Sequence, residues 1–267
     1  MRRVIAAIIM KAFSFLSLKT AQAFVYWLLC SQGIGTGGRD IYKSGEVGVL
    51  RKLFENKVGV IVIFDVGANV GQYTRAIVSL SNECNVYAFE PSRKTFQKLE
   101  ENIKSLGDIS NKITLFNYSL GEIEENRSLY SNEDLSGLAS MTKRRLDHLD
   151  INMQQEEIIK TRKLDDIISE NGLHFIDLLK IDVEGHELEV LKGGETSFKN
   201  GLIGAVQFEF GGCNIDTKTF FQDFFYFFKK YSFEIYLIQS NKLAKINKYQ
   251  EILENFTTTN FLAIHIG

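Results

Sequence analysis

Residues 60–64 form an unbroken β-branched and aromatic run, Val-Ile-Val-Ile-Phe. The chain then turns through Asp65-Val-Gly-Ala-Asn-Val-Gly71 into a helical stretch at 72–81. A strand that is apolar at every position is buried on both faces, as happens when helices cover both sides of a parallel sheet. The alternation continues. Strands are expected at 85–89, 113–117, 175–181, Ala205–Phe210, Phe233–Ile238 and 261–266. Helices are expected at 92–106, Leu164–Glu170, 184–191 and 219–231, with Pro91 suited to a first helical turn and Gly193-Gly194 to a stop. Seven strands interleaved with helices predict an α/β domain with a mostly parallel sheet covered on both faces.

Composition removes several other classes. The chain has 267 residues, 45% hydrophobic and 24% charged, which is globular rather than disordered. Its 31 basic and 33 acidic residues leave a net charge of −2, against a dedicated nucleic-acid binder. Cys30, Cys84 and Cys213 are widely spaced without a CxxC, which excludes a disulfide scaffold and a cysteine zinc site. Such thiols suit a reducing, cytoplasmic compartment.

Residues 1–57 stand apart from the α/β pattern and are expected to form a helical extension and a connector. Residues 1–30 carry Arg2, Arg3, Lys11 and Lys19, no acid, and apolar stretches at 4–10 and 24–30. Neither stretch reaches the ~18–20 apolar residues of a spanning helix. Three readings stay open: helices packed on the domain, a membrane-surface contact through basic and aromatic residues, and a signal peptide ending near Ala21-Gln22-Ala23. Gly33, Gly35 and Gly37 follow no strand, so they read as a flexible connector rather than a phosphate loop. Residues 122–160 are polar and weakly periodic, a variable insertion with short strands around 128–130 and 158–162.

In open α/β sheets ligands bind at the carboxyl ends of the strands, and four polar signals fall there. Asp65-x-Gly67-x-Asn69-x-Gly71 is a strand-to-helix turn that lets a ligand approach the backbone. It is not a dinucleotide fingerprint, because Asn69 and Gln72 stand where that pattern needs glycine. Glu90 ends the next strand, 19 residues after Gly71, about where an acid grips ribose hydroxyls. A carboxylate accepts two hydrogen bonds from a vicinal diol; an idle helix-capping acid is the plainer alternative. Lys180-Ile-Asp182-Val-Glu184-Gly185-His186-Glu187 places carboxylates and an imidazole past the fourth strand. Asp182 or His186 could take a proton from an acceptor hydroxyl. Asp182, Glu184 and His186 could instead ligate a divalent cation, but no further ligand is identifiable, so no metal site is assigned. Glu184 and Glu187 also suit a plain helix N-terminus. Glu209, in Gln207-Phe-Glu209-Phe, is costly in an apolar strand unless partnered or functional. The phenylalanine-rich helix from Phe220 to Phe228 reads as core packing.

Together FDVGANVGQYT (64–74), YAFEP (87–91), LKIDVEGHELEVLKG (179–193) and QFEF (207–210) resemble the FkbM family of S-adenosylmethionine-dependent methyltransferases, over roughly residues 60–266. The resemblance implies a Rossmann-like class I methyltransferase fold of seven strands, the last inserted antiparallel. It implies O-methylation of a hydroxyl on a sugar, glycan or related acceptor. Carried over by motif, Asp65, Gly67, Asn69, Gly71 and Tyr73 would line the methionine end of S-adenosylmethionine. Glu90 would hold its ribose and Ser119–Leu120 its adenine. Asp182, Glu184, His186 and Glu209 would face the methyl group and the acceptor, with Asp182 also touching the cofactor. Asn69 replaces the central glycine of many methyltransferase motifs, as is common in this family. Two other readings remain: an NAD- or nucleotide-sugar-dependent oxidoreductase on a related fold, and a non-catalytic S-adenosylmethionine-binding domain. A homo-oligomer is left open.

Overall fold

The computed structural model describes residues 13–38, 40–55, 57–81, 83–240 and 242–267. The basic and apolar stretch at 2–11 lies outside them. The buried run near residue 60 becomes β1 (Ile61–Val66), at the centre of the sheet. It pairs in parallel with β2 (Cys84–Phe89) on one side, and β2 pairs with β3 (Ile113–Phe116). Helix α3 (Gln72–Leu80) connects β1 to β2, and α4 (Arg93–Lys104) follows β2. On its other side β1 pairs with β7 (Leu178–Ile181), and β7 pairs in parallel with β8 (Ala205–Phe210). The chain thus reverses its direction of travel across the sheet between β1 and β7. That switch opens a crevice at the strands' carboxyl ends.

Beyond β8 the expected antiparallel insertion is present. β11 (Thr259–His265) lies between β8 and β9 (Phe233–Ile238), antiparallel to both. The sheet has eight strands, not seven: β10 (Leu243–Ile246) adds an antiparallel edge to β9. This strand is short and only half-buried, so it lacks the continuous apolar run that marked the inner strands. Helices on both faces complete the α/β architecture expected of a class I methyltransferase.

Two cores flank the sheet. On one side α9 (Phe221–Lys230) sets Phe221, Phe224 and Phe228 against Phe208, Phe210 and Phe261. The expected packing role of this helix holds, with Phe220 and Tyr226 left on its outer side. On the other side α2 (Glu46–Glu55) buries Val47, Val49 and Leu50 against Ile61, Ile63, Tyr73 and Ile77. Residues 46–55 therefore share the core of the α/β domain rather than standing outside it. The glycine connector is pinned as well. Gly35 N donates to Thr259 Oγ1 at 2.9 Å, and Gly37 N to the Thr258 carbonyl at 2.8 Å.

The insertion builds a small second sheet. β5 (Glu125–Ser131) pairs antiparallel with β6 (Gln155–Arg162), which also pairs in parallel with β4 (Ser119–Leu120). The segment between β5 and β6 reaches back over the crevice. Helix α1 (Leu18–Ser31), capped by the Ser17 hydroxyl, buries none of its residues, and Trp27 is 75% exposed. No helix among the described residues is long and apolar enough to cross a membrane.

Candidate active site

A cavity of about 520 Å³ occupies the crevice, within the range of roughly 300–1,000 Å³ usual for small-molecule sites. Adjacent strands bring the four sequence signals to it in spatial order: Glu90 after β2, Gly67 after β1, Asp182 after β7 and Glu209 on β8. Three strand gaps separate the first from the last, roughly 14 Å.

The Gly67 end is built by backbone. Gly67 has φ +82°, and a Cβ there would stand 1.8 Å from the Asp182 carbonyl oxygen. Only glycine permits β1 and β7 to exit so close together. Gly71, φ +88°, forms the N-cap of α3 and faces Leu99 rather than the cavity. Between them Asn69 adopts φ 48°, and its side-chain oxygen accepts from Val70 N. Asn69 N donates to Glu90 Oε2 at 3.0 Å, and Ser92 N donates to Glu90 Oε1 at 2.9 Å. Both carboxylate oxygens are thereby fixed, each with a lone pair left for a further donor. Burial pushes the Glu90 carboxyl up to about 7 against these two N–H groups. Ser119 and Tyr73 also line the cavity, whereas Leu120 is buried beneath it.

Asp65 is fully buried and stands behind the cavity wall. Its Oδ2 accepts from Thr74 Oγ1 at 2.6 Å, and its Oδ1 lies 3.5 Å from Lys180 Nζ. Lys180 also reaches Asp182 Oδ2 at 3.3 Å and sits over the Tyr73 ring, 5.3 Å from its centroid. Burial pulls the lysine pKa down, but Asp182, Asp65 and Glu46 more than offset it and leave it raised. A second buried chain runs from Tyr73 Oη, which donates to Gln207 Oε1 at 3.0 Å, to Gln207 Nε2, which donates to Glu46 Oε1 at 3.0 Å. Lys180, Glu46 and Gln207 were not assigned site roles from sequence; an ionisable or amide side chain in an otherwise apolar strand was the available signal for two of them.

After β7 the chain does not enter a helix at 184. Glu184 (φ 52°) and Gly185 (φ 104°) take left-handed backbone, and α6 begins only at Glu187 (Glu187–Gly193). Glu187 Oε1 accepts from the N–H groups of Val183 and Gly185, so this residue does serve the helix start. The turn separates Glu184 from His186. Glu184 points into the cavity and pairs with Arg144, a residue of the insertion. Burial and the charge of Asp182 raise its carboxyl to about 8, opposed by Arg144. His186 is buried outside the cavity lining, with Nδ1 3.0 Å from Glu189 Oε1 and Nε2 3.0 Å from Thr142 Oγ1. With both nitrogens engaged, the imidazole holds the insertion to α6 instead of facing an acceptor. The acids brought together are Asp182, Glu184 and Glu209, with one oxygen from each within 4.8 Å of the others. Burial, then Asp182, raises the Glu209 carboxyl. Leu138, Met141 and Arg144 of the insertion and Gly37 of the N-terminal segment complete the walls.

Known proteins resemble this chain in sequence and in fold. A hexuronic acid methyltransferase, AglP, from Haloferax volcanii is 34% identical over 149 residues, 56% of this chain and 56% of its own. A 2-O-methyltransferase, NoeI, from Sinorhizobium fredii is 32% identical over 152 residues, 53% of this chain and 61% of its own. The matches thus span less than two thirds of these relatives. Among solved structures, a methyltransferase FkbM from Methylobacillus flagellatus KT aligns with a TM-score of 0.47 at 14% identity, covering 91% of this chain and 60% of that one. Residues 65–235 match the methyltransferase FkbM domain, from the Asp65 turn through all four strand-end signals. The chain belongs to the FkbM methyltransferase family.

Proposed function

We propose that this protein is an S-adenosylmethionine-dependent O-methyltransferase acting on a hydroxyl of a sugar, glycan or related acceptor. The observation that carries the reading is Glu90: a buried carboxylate, fixed by two backbone N–H groups, at one end of a cavity whose other end is acidic. A ribose diol fits the free lone pairs of that carboxylate, and the Gly67 turn admits the cofactor against bare backbone. S-Adenosylmethionine supplies there a methyl group that passes from sulfur to the acceptor oxygen, leaving S-adenosylhomocysteine and one proton. The chain's own part is to hold the acceptor hydroxyl in line and receive that proton. Positioning of this kind lowers barriers strongly, and a placed proton acceptor adds about 10²–10⁴-fold. The acids at the ends of β7 and β8, not His186, are the groups that face the cavity. The printed names of AglP and NoeI, a hexuronic acid methyltransferase and a 2-O-methyltransferase, support a carbohydrate acceptor.

The test is label transfer from methyl-tritiated S-adenosylmethionine to a panel of hexoside and hexuronoside acceptors, followed by mild alkali. A hydroxyl acceptor yields an ether, which keeps its label in base. Label lost in alkali would identify a methyl ester on a carboxylate and overturn the O-ether reading.

We also propose that residues 1–30 rest on a membrane surface from the cytoplasmic side. The segment carries four cations and no acid, and α1 leaves Phe24, Val25, Trp27 and Leu28 exposed. A basic segment beside exposed apolar and aromatic residues favours an anionic interface. Deletion of residues 2–30 is expected to abolish co-sedimentation with phosphatidylglycerol vesicles while leaving S-adenosylhomocysteine affinity and the denaturation midpoint unchanged. A fall in both latter quantities would instead make the segment part of the core.

A further inference from the structure

We propose that Asp182, Glu184 and Glu209 together hold one divalent cation of the hard, oxygen-preferring kind. Cation binding itself needs only these side chains; what the ion does there rests on the methyltransferase reading.

Carboxylate oxygens are the ligands chosen by Mg²⁺, Ca²⁺ and Mn²⁺. Two oxygens on one ion lie at most twice the metal–oxygen distance apart, about 4.2 Å for Mg²⁺ and about 4.6–5.2 Å for Ca²⁺. The three acids offer one oxygen each within 4.8 Å of one another. That limit brings the three oxygens to the scale of one coordination shell, with small side-chain rotations left to close them on an ion.

Glu209 supplies the independent reason to expect an ion. Its side chain is only 6% exposed and lines the cavity. Among the described residues no hydrogen-bond donor or ion-pair partner meets its carboxylate. A buried carboxylate left in this way is ionised only at a cost, which a bound cation offsets. Among the described residues the neighbouring cations are already engaged: Lys180 lies between Asp65 and Asp182, and Arg144 between Glu184 and Asp216. Gly37 packs closely on one side of the carboxylate, where a Cβ would stand 2.7 Å from Glu209 Oε1, and the cavity opens on the other. A cation here has coordination positions left facing the cavity. Neighbouring hydroxyls of a sugar fit them, and a bound hydroxyl is acidified and oriented for transfer.

The experiment uses the full chain, stripped with a chelator and titrated with Mn²⁺ by electron paramagnetic resonance, then challenged with Mg²⁺ and Ca²⁺. Wild type is expected to take up one Mn²⁺ per chain, displaced by either competitor. Glu209→Gln and, separately, Asp182→Asn are expected to weaken uptake at least tenfold. The first variant is isosteric and keeps the side chain's volume at a buried position; the second is at a half-exposed position. No uptake by wild type, or wild-type affinity in either variant, overturns the inference. Calorimetry with S-adenosylhomocysteine on the stripped protein is read separately. Binding there without Mn²⁺ uptake removes the cation alone, and its absence removes the methyltransferase reading.

Discussion

Lys180→Met is expected to cost about 3–5 kcal/mol of stability, the usual consequence of leaving one member of a buried ion pair uncompensated. Asp65 is fully buried, and among the described residues its Oδ1 has only the Lys180 ammonium, 3.5 Å away, to balance it. The same ammonium meets Asp182 at 3.3 Å, so one cation ties the end of β1 to the end of β7. Chemical denaturation should show a lower midpoint with an unchanged slope. Adding Asp65→Asn should restore much of the loss, because asparagine keeps an acceptor for Thr74 without a charge. A loss below about 1 kcal/mol in Lys180→Met, the level of an exposed pair, would contradict the assignment.

Glu90→Ala is expected to weaken S-adenosylhomocysteine binding by about 1.5–3 kcal/mol, the worth of a hydrogen bond to a charged group. That corresponds to about 10- to 150-fold in affinity. The pH dependence follows from the same side chain. Its carboxyl lies at about 7, raised by burial, and a ribose diol donates to the ionised form. At pH 8 the group is already ionised; at pH 6 a proton must first leave, costing about 1.4 kcal/mol per pH unit below 7. Affinity should therefore fall about tenfold from pH 8 to pH 6, and Glu90→Gln should lose that step. The folded-state contribution has the opposite sense. An acid whose pKa rises on folding adds stability at low pH and loses it as pH climbs from 4.5 through about 7. Calorimetry across this range separates the two effects.

The inner strands were legible because each is mostly apolar and largely buried, and Ala205–Phe210 and Phe233–Ile238 end where the sequence places them. The strand ends then located Glu90, Gly67, Asp182 and Glu209 at the cavity, since position on a parallel sheet follows from chain order and handedness. What escaped sequence reasoning has local causes. Strand β10 is half-exposed and four residues long. Helix α2 carries Gly48 and was set outside the domain, although Leu50 is fully buried against β1. Arg144, Leu138 and Met141 come from irregular backbone between β5 and β6, where no periodicity reports direction. His186 follows two left-handed residues, and a turn of that hand sends neighbouring side chains to opposite sides.

The central claim is that the crevice between β1 and β7 binds S-adenosylmethionine and not a dinucleotide. Paired calorimetric titrations of the wild-type chain with S-adenosylhomocysteine and with NAD test it most directly. The expected result is one S-adenosylhomocysteine site per chain and NAD binding at least tenfold weaker, because Asn69 and Gln72 deny the glycine pattern a dinucleotide pyrophosphate needs. NAD binding as tightly as S-adenosylhomocysteine, or more tightly, would contradict it.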